Sequence, residues 1–446
     1  MPITVHEPAR ETPVAYDADL CIVGGSCTGV FAAVRAARLG LRVALIEANS
    51  ILGGMAVAAQ VTEWQSIYDA YFDRVIIGGL SIELMDRLKR RRAVEVVPKG
   101  HRAGFRFNAA EMAVELDELV RENGIRLFLN ARCVTAIREG DVIRAAVLED
   151  KGGRRAVTAK VFVDASGDGD LLRQGGFDAY KRDTLQPANL QAIVAGYEHV
   201  PGDQIAAAIK ALADEYGYPT ANSLPWPNTI PDAPLLRNVF GPRVNGVDTS
   251  DADQLTDALV NNRRYHRALC ELLEKFTGSP LTLVSFAPML GIRETFHAAC
   301  QHSLTTDELL SGEQFPDAIA NGTYPVDIHS ATGTFLRYLD GRDEIVATDG
   351  TRRWERWRDE SVTPRCYHVP FRSLIPKAAA NVLIAGRLID ADPGAFGAVR
   401  VMVTTNQMGE AVGVASALAV RDGVNVGDVD PTLLRKTLAD GGAIVL

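Results

Sequence analysis

Ala18-Asp19-Leu20-Cys21-Ile22-Val23-Gly24-Gly25-Ser26-Cys27-Thr28-Gly29-Val30, followed by Val43-Ala44-Leu45-Ile46-Glu47, is the stretch whose reading decides the fold. Leu20 to Val23 is an apolar run of strand length, and Gly24 and Gly29 occupy the first and last positions of G-x-G-x-x-G. Val30 to Leu39 reads as the helix that follows. A helix that starts at such a turn directs unpaired N–H groups at an anion, here a pyrophosphate. Glu47 lies 18 residues beyond Gly29, at the end of the next apolar strand. A carboxylate there accepts hydrogen bonds from the adenosine ribose hydroxyls and repels a 2′-phosphate. The pattern predicts a dinucleotide site formed by Gly24, Gly25, Ser26, Cys27, Thr28, Gly29, Glu47 and Ala48.

Ser26 stands where the middle glycine is usual. It is small enough to keep the backbone close to a pyrophosphate, and it offers that group a hydroxyl. Cys27, next to it, reads as a small packing residue. Downstream, Gly53-Gly54-Met55 carries two adjacent glycines, which let a backbone approach a ligand closely.

At 446 residues the chain exceeds the size at which one core usually stops growing, so a second domain or a large insertion is expected. A net charge of -9 disfavours a nucleic-acid partner held through phosphates, and the basic runs Arg87 to Arg92 and Arg352 to Arg358 read as solvated surface. The six cysteines include no C-x-x-C pair, which argues against a metal site, an iron-sulfur cluster and a redox dithiol. Met1 to Pro13 has no apolar leader character, and no apolar run reaches 18 residues. These features predict a cytoplasmic protein with no membrane partner; self-association is left open.

Further along, Ile82 to Arg92 reads as an amphipathic helix, Val94 to Val97 as a strand, and Ala109 to Asn123 as a helix capped by Asn108 and stopped by Gly124. Ile125 to Leu129 reads as a buried strand. The strands Cys133 to Arg138, Val142 to Glu149 and Ala156 to Ala165, joined by glycine turns, predict an antiparallel meander whose last strand is Lys160 to Asp164. That strand ends at Ala165-Ser166-Gly167-Asp168-Gly169-Asp170, a second glycine and acid cluster at a strand terminus, where open α/β sheets bind ligands. Prolines break residues 181 to 365 into short pieces around a helix near Asp251 to Phe276. Strand Val382 to Ala385, Gly386-Arg387 and a helix from Met402 to Val420 then restore the α/β pattern. Gly409, Gly413 and Ala417 form a smooth stripe on that helix, suited to close packing.

These regions taken in order resemble the glutathione-reductase-like flavoprotein superfamily, and more narrowly the bacterial FAD-dependent oxidoreductase family that includes the flavin part of heterodisulfide reductases. The resemblance covers roughly residues 15 to 422 and includes Gly291-Ile292-Arg293-Glu294-Thr295, Tyr324 to His329, and Tyr367 to Pro376. It implies an α/β fold: a Rossmann-like FAD-binding domain of three-layer ββα architecture with an antiparallel meander, and a large inserted substrate or cap domain. The FAD-binding domain would comprise 15–60, 105–180 and 366–422, the insertion 61–104 and 181–365, and a C-terminal extension 423–446. FAD would be held non-covalently, with adenosine at Glu47, pyrophosphate at the glycine turn, and Ala165, Gly167, Asp168, Gly386 and Arg387 near the nucleotide. The flavin ring would lie near Gly53, Gly54, Met55, Gly397, Arg400, Val401 and Met402. A helix N-terminus or Arg400 at its N1 edge would stabilise the reduced form. The chain lacks the cysteine pairs through which a heterodisulfide reductase would pass electrons.

Such a cofactor needs from the protein a group that handles the proton accompanying hydride transfer. Among eight histidines, His329 and His368 lie in resemblance segments outside helices and are the candidates. Asp327 could orient His329 if the strand bends. Arg293, Arg365 and Arg372 are candidates for clamping a carboxylate or polarising a carbonyl. The expected reaction is hydride transfer between a small polar organic substrate (hydroxy acid, sugar or amine) and flavin N5, with the electron partner unassigned. The alternatives are a reductase of C=C or C=O bonds fed by an external donor, or a flavin-bearing electron-transfer subunit.

Overall fold

The computed structural model describes residues 4–98, 100, 103–220 and 223–446. Its centre is a five-stranded parallel sheet of β1 (Leu20–Val23), β2 (Val43–Ile46), β3 (Arg126–Phe128), β4 (Val161–Asp164) and β5 (Val382–Ile384), ordered β5-β4-β1-β2-β3. Every residue of β1, β2, β4 and β5 is buried, as continuous apolar runs require when a sheet is covered on both faces. The chain order reverses between β1 and β4, which makes their carboxyl ends the switch point where such sheets bind ligands. Gly24 leaves β1 there with φ +106°, and a Cβ on it would fall 2.4 Å from the carbonyl oxygen of Ala165, which follows β4.

Helices α1 (Cys27–Arg38) and α2 (Met402–Asp422) pack against each other on one face of the sheet. The small-residue stripe brings their backbones together: a Cβ on Gly409 would sit 2.1 Å from Thr28 O, and one on Gly413 2.3 Å from Ala32 O. Between the glycines Glu410, 1 % exposed, accepts from Arg35 Nε at 2.7 Å and from Leu80 N at 3.1 Å. Removing one member of such a buried pair strands the other charge.

Strands Arg132–Glu139, Val142–Asp150 and Gly153–Thr158 form the antiparallel meander, and their side chains Ile143, Ala146, Leu148 and Val157 join the same core. The expected final meander strand is corrected: Val161–Asp164 leaves it and pairs in parallel between β1 and β5. Four buried residues in a row suit the interior of a two-sided sheet, not an alternating meander strand. The meander edge is taken by Val14–Asp17, which runs parallel to Gly153–Thr158.

Residues 181 to 365 are more regular than their prolines suggest. Trp226–Thr229, Leu236–Phe240, Gln191–Ala195 and Thr282–Phe286 form one four-stranded sheet in that order, backed by the packed helices Ile205–Tyr216 and Ala252–Thr277. Pro227 is accommodated because its strand is an edge. Val326–Ser330, Gly333–Arg337, Arg342–Ala347 and Arg352–Arg356 form a second four-stranded sheet in chain order. The α/β architecture with a Rossmann-like domain and a large insertion is therefore observed. The C-terminal segment is tied in: Gly442 O accepts from Gly79 N at 2.8 Å, and Ile444 O from Asn321 Nδ2 at 2.7 Å. Among the described residues no helix is long and apolar enough to cross a membrane.

Candidate active site

At the glycine turn, Gly25 N donates to Glu47 Oε2 at 2.6 Å, while Glu47 Oε1 accepts from Asn49 N at 2.7 Å and Asn49 Nδ2 at 2.6 Å. A carboxylate has about four acceptor positions, so these bonds leave one, on Oε2, for a further donor. Ser26 Oγ accepts from Gly29 N at 3.4 Å and so caps α1, a role that uses a lone pair and leaves its O–H proton to donate. Gly53 N donates to Gly25 O at 2.8 Å, zipping the two glycine segments together. A Cβ on Gly54 would meet that of Ser26 at 2.8 Å, so the serine at the middle position is matched by a bare residue facing it. Cys27 Sγ lies 3.8 Å from Gly53 O, and burial pushes its thiol up to about 12, which suits a packing residue.

The second acid cluster is organised by Asp164, which accepts from Ser166 Oγ at 2.6 Å, Leu171 N at 2.9 Å and Leu172 N at 2.8 Å. Asp168 takes Arg387 Nη2 at 3.1 Å and Thr295 Oγ1 at 2.7 Å. Gly167, at φ +81°, is bare because a Cβ would meet Arg387 Nη2 at 2.5 Å. Burial, with Asp164 and Asp168 close by, raises the Asp170 carboxyl to about 7.

A cavity of about 580 Å³ opens between these segments and the inserted sheets. Met55, Arg387, Arg400, Val401 and Met402 line it, and so do Arg293 and His329. The inserted strands add Trp226, Phe240, Thr334, Leu336, Glu344 and Val346. Met402 begins α2, whose first turn has no side-chain cap, so the positive end of the helix adjoins the cavity.

Asp327 and His329 share one face of strand Val326–Ser330, with Asp327 Oδ1 3.2 Å from His329 Nε2. No bend is needed: the strand pairs in unbroken register with Gly333–Arg337, and alternation puts residues two apart on the same side. His329 Nδ1 lies 3.1 Å from the hydroxyl of Thr334, its cross-strand neighbour. Arg400 Nη2 donates to Asp327 Oδ2 at 2.9 Å.

Burial opposes ionisation of Asp327, yet His329, Arg400 and Arg293 together hold its carboxyl well below the usual range. Burial pushes the His329 imidazole down to about 3, with Asp327 opposing and Arg293 and Arg243 adding to the depression. The ring is thus neutral at neutral pH. Burial lowers Arg293 to about 9, assisted by repulsion from Arg400 and Arg243.

The other candidates are not brought here. His368 is buried in the strand Tyr367–Pro370, its Nδ1 3.1 Å from Asn321 Oδ1 and its Nε2 2.8 Å from Gln314 Nε2, away from the cavity lining. Arg372 pairs with Asp317 at 3.0 Å, and Arg365 pairs with Asp69 and Asp73. Gly397 faces protein instead of the cavity: a Cβ on it would fall 2.8 Å from Asp327 O, so its smallness seats helix Pro393–Val399 on the strand carrying Asp327 and His329. Sequence reasoning missed Arg243 and Thr334. The turn Gly241-Pro242 ahead of Arg243, and the hairpin register opposite His329, were the available signals.

The residues present fit a flavin dinucleotide. The turn is bare on the side where Gly24 and Gly29 have no room for a Cβ, and two buried guanidinium nitrogens at the cavity, Arg387 Nη1 and Arg400 Nε, have no hydrogen-bond partner among the described residues. A family model described as FAD dependent oxidoreductase matches residues 19–438. The chain belongs to that family. It is an oxidoreductase, and FAD is its cofactor.

Solved structures similar to this FAD-dependent oxidoreductase include a geranylgeranyl bacteriochlorophyll reductase-like protein from Thermoplasma acidophilum. It is 13% identical over 95% of this chain and 83% of that one, with a TM-score of 0.45. The p-nitrophenol 4-monooxygenase PnpA from Pseudomonas putida is 12% identical over 96% of this chain and 83% of that one, with a TM-score of 0.41. The aromatic hydroxylase CabE of angucycline biosynthesis is 13% identical over 95% of this chain and 66% of that one, with a TM-score of 0.46. No curated protein sequence matches the chain.

Proposed function

We propose that the protein transfers a hydride between a small polar organic substrate and FAD, with the cavity as the substrate side of the cofactor. The observation that carries this reading is that His329 and Asp327 share one cavity with Met55, Arg387, Arg400 and Met402. Bound FAD would supply the redox chemistry, taking up or giving a hydride at N5. Gly24 to Gly29 and Glu47 would hold its pyrophosphate and adenosine, Asp168 and Arg387 the middle of the dinucleotide, and Met55, Val401 and Met402 the ring. Arg400 and the N-terminus of α2 would favour negative charge at that ring.

The proton is the task left to the protein. With the proton assigned to Nε2, the ring edge 3.2 Å from Asp327, the lone pair of His329 is on Nδ1, where the Thr334 hydroxyl meets it. A substrate hydroxyl or amine proton reaches Nδ1 through Thr334, and the imidazolium formed is stabilised by Asp327. The ordered motifs support the narrower placement in the glutathione-reductase-like superfamily, and the lack of cysteine pairs separates the chain from a heterodisulfide reductase role.

The test is anaerobic mixing of purified holoenzyme with a panel of hydroxy acids, sugars and amines. Loss of flavin absorbance with at least one, slowed in His329→Gln at unchanged FAD content, is the expected result. No reduction by any member, with rapid reduction by a nicotinamide, would favour the reductase alternative. Equal behaviour of His329→Gln would favour an electron-transfer subunit.

A further inference from the structure

We propose that the cavity selects substrates bearing a carboxylate, which Arg293 clamps with Arg243 beside it; this rests on the cavity being the substrate side of FAD, and it favours the hydroxy-acid class over sugars and amines. Arg293 lines the cavity, and its acceptors in the protein are Pro187 O at 2.6 Å and Asn189 Oδ1 at 3.2 Å. Both are neutral and both engage Nη1, which leaves Nη2 without a protein acceptor among the described residues. One edge of the guanidinium is anchored and another is open, as a residue prepared to grip a ligand would be.

Charge bookkeeping in the cavity points the same way. Glu63, Asp327 and Glu344 are the carboxylates in its lining, and each is engaged: Glu63 with Arg106 at 2.6 Å, Asp327 with Arg400 at 2.9 Å, Glu344 with Arg352 at 2.7 Å. Arg293 therefore adds positive charge to a partly desolvated space with neutral hydrogen-bond acceptors, Asp327 acting on it only at longer range. Burial lowers the basicity of both the Arg293 and Arg243 guanidinium groups; repulsion from Arg400 adds to this in both and repulsion from Arg243 adds to it in Arg293, against the attraction of Asp327. An anion resting on Arg293 relieves that repulsion. A neutral sugar leaves it, and an ammonium group worsens it. The same anion would also offset the two arginines that depress His329, making the imidazole a better proton acceptor when substrate is in place. Phe240, Ile292, Leu336 and Val346 supply apolar surface for the rest of an organic acid.

The probe is benzoate against its neutral counterpart benzamide, each titrated into holoenzyme and followed by perturbation of the flavin absorbance. Benzoate is expected to bind at least tenfold more tightly than benzamide. In Arg293→Met that preference should collapse while benzamide binding and FAD content stay unchanged; a loss of fold alone would lower both ligands together. Should Arg293→Met not yield folded protein, Arg293→Lys is the second variant, and it should keep a preference for benzoate that fades with added salt. Equal affinity of wild type for the two ligands, or an unaltered preference in Arg293→Met, overturns the proposal. Binding is read without turnover. Benzoate selectivity in an enzyme that no panel substrate reduces would therefore count against the hydride reading alone, and reduction by sugars without benzoate binding would count against the carboxylate clamp alone.

Discussion

Asp327 Oδ1 lies 3.2 Å from His329 Nε2, while the second oxygen of the same carboxylate accepts Arg400 Nη2 at 2.9 Å. One buried acid thus lies against both the candidate proton acceptor and an arginine of the same cavity lining. The geometry follows from a flat strand: residues two apart point the same way, and Gly397 lets a helix lie against its backbone.

Replacing Asp327 with Asn should leave FAD bound but lower the rate of substrate-dependent flavin reduction by about 10²–10⁴-fold, the usual range for losing a positioned acid–base group. His329→Gln should fall in the same range, and the double variant should be little worse than either single one. Anaerobic stopped-flow measurement of the three proteins checks this.

Stability should fall with acidity in a defined window. The folded pKa of His329 is lowered from 6.5 to about 3, and that of His266 from 6.5 to about 4, in both cases chiefly by burial. As pH falls below 6.5 the unfolded chain takes up these protons first, so stability declines until the folded values are reached. Urea denaturation between pH 7 and pH 4 should show that decline, and His329→Gln should show a shallower one.

Ser26→Gly should purify yellow and lose only a few tenths of a kcal/mol, because glycine is a tolerable helix cap. Ser26→Leu should purify colourless, since the bulkier side chain would press on Gly54 and on the pyrophosphate path. Flavin content per chain, read from the absorbance spectrum, decides. A yellow Ser26→Leu would contradict the placement of the pyrophosphate.

Gly409→Val should destabilise the protein by about 1–3 kcal/mol or more, the usual cost of overpacking. The atom its Cβ would meet at 2.1 Å is backbone, Thr28 O, which a rotamer change cannot move. Urea midpoints of wild type and variant measure the difference.

Much of the Rossmann-like part was legible in the sequence because each of its signals is local. The glycine turn, Glu47, the cap Asn108 and the helix of Gly409 and Gly413 all follow from short-range chemistry. Strand Val161–Asp164 is recognisable as a strand from its apolar run, but its parallel partners lie far along the chain and leave no local mark. The inserted sheets were hidden for the same reason, and Pro227 on an edge strand resembled a break. At the site His329 and Arg293 were found by position in unexplained segments. Thr334 and Arg243 become visible only when register and cavity are known. His368 and Arg372 carried the same chemistry in sequence, yet folding gives them to Asn321 and Asp317.

The most direct test of the central claim is a crystal structure of the holoenzyme with benzoate. The flavin ring should be bordered by Met55 and Met402, with the carboxylate on Arg293 and His329 on the same side of the ring. A flavin ring remote from this cavity, with Arg293 and His329 facing only solvent, would contradict it.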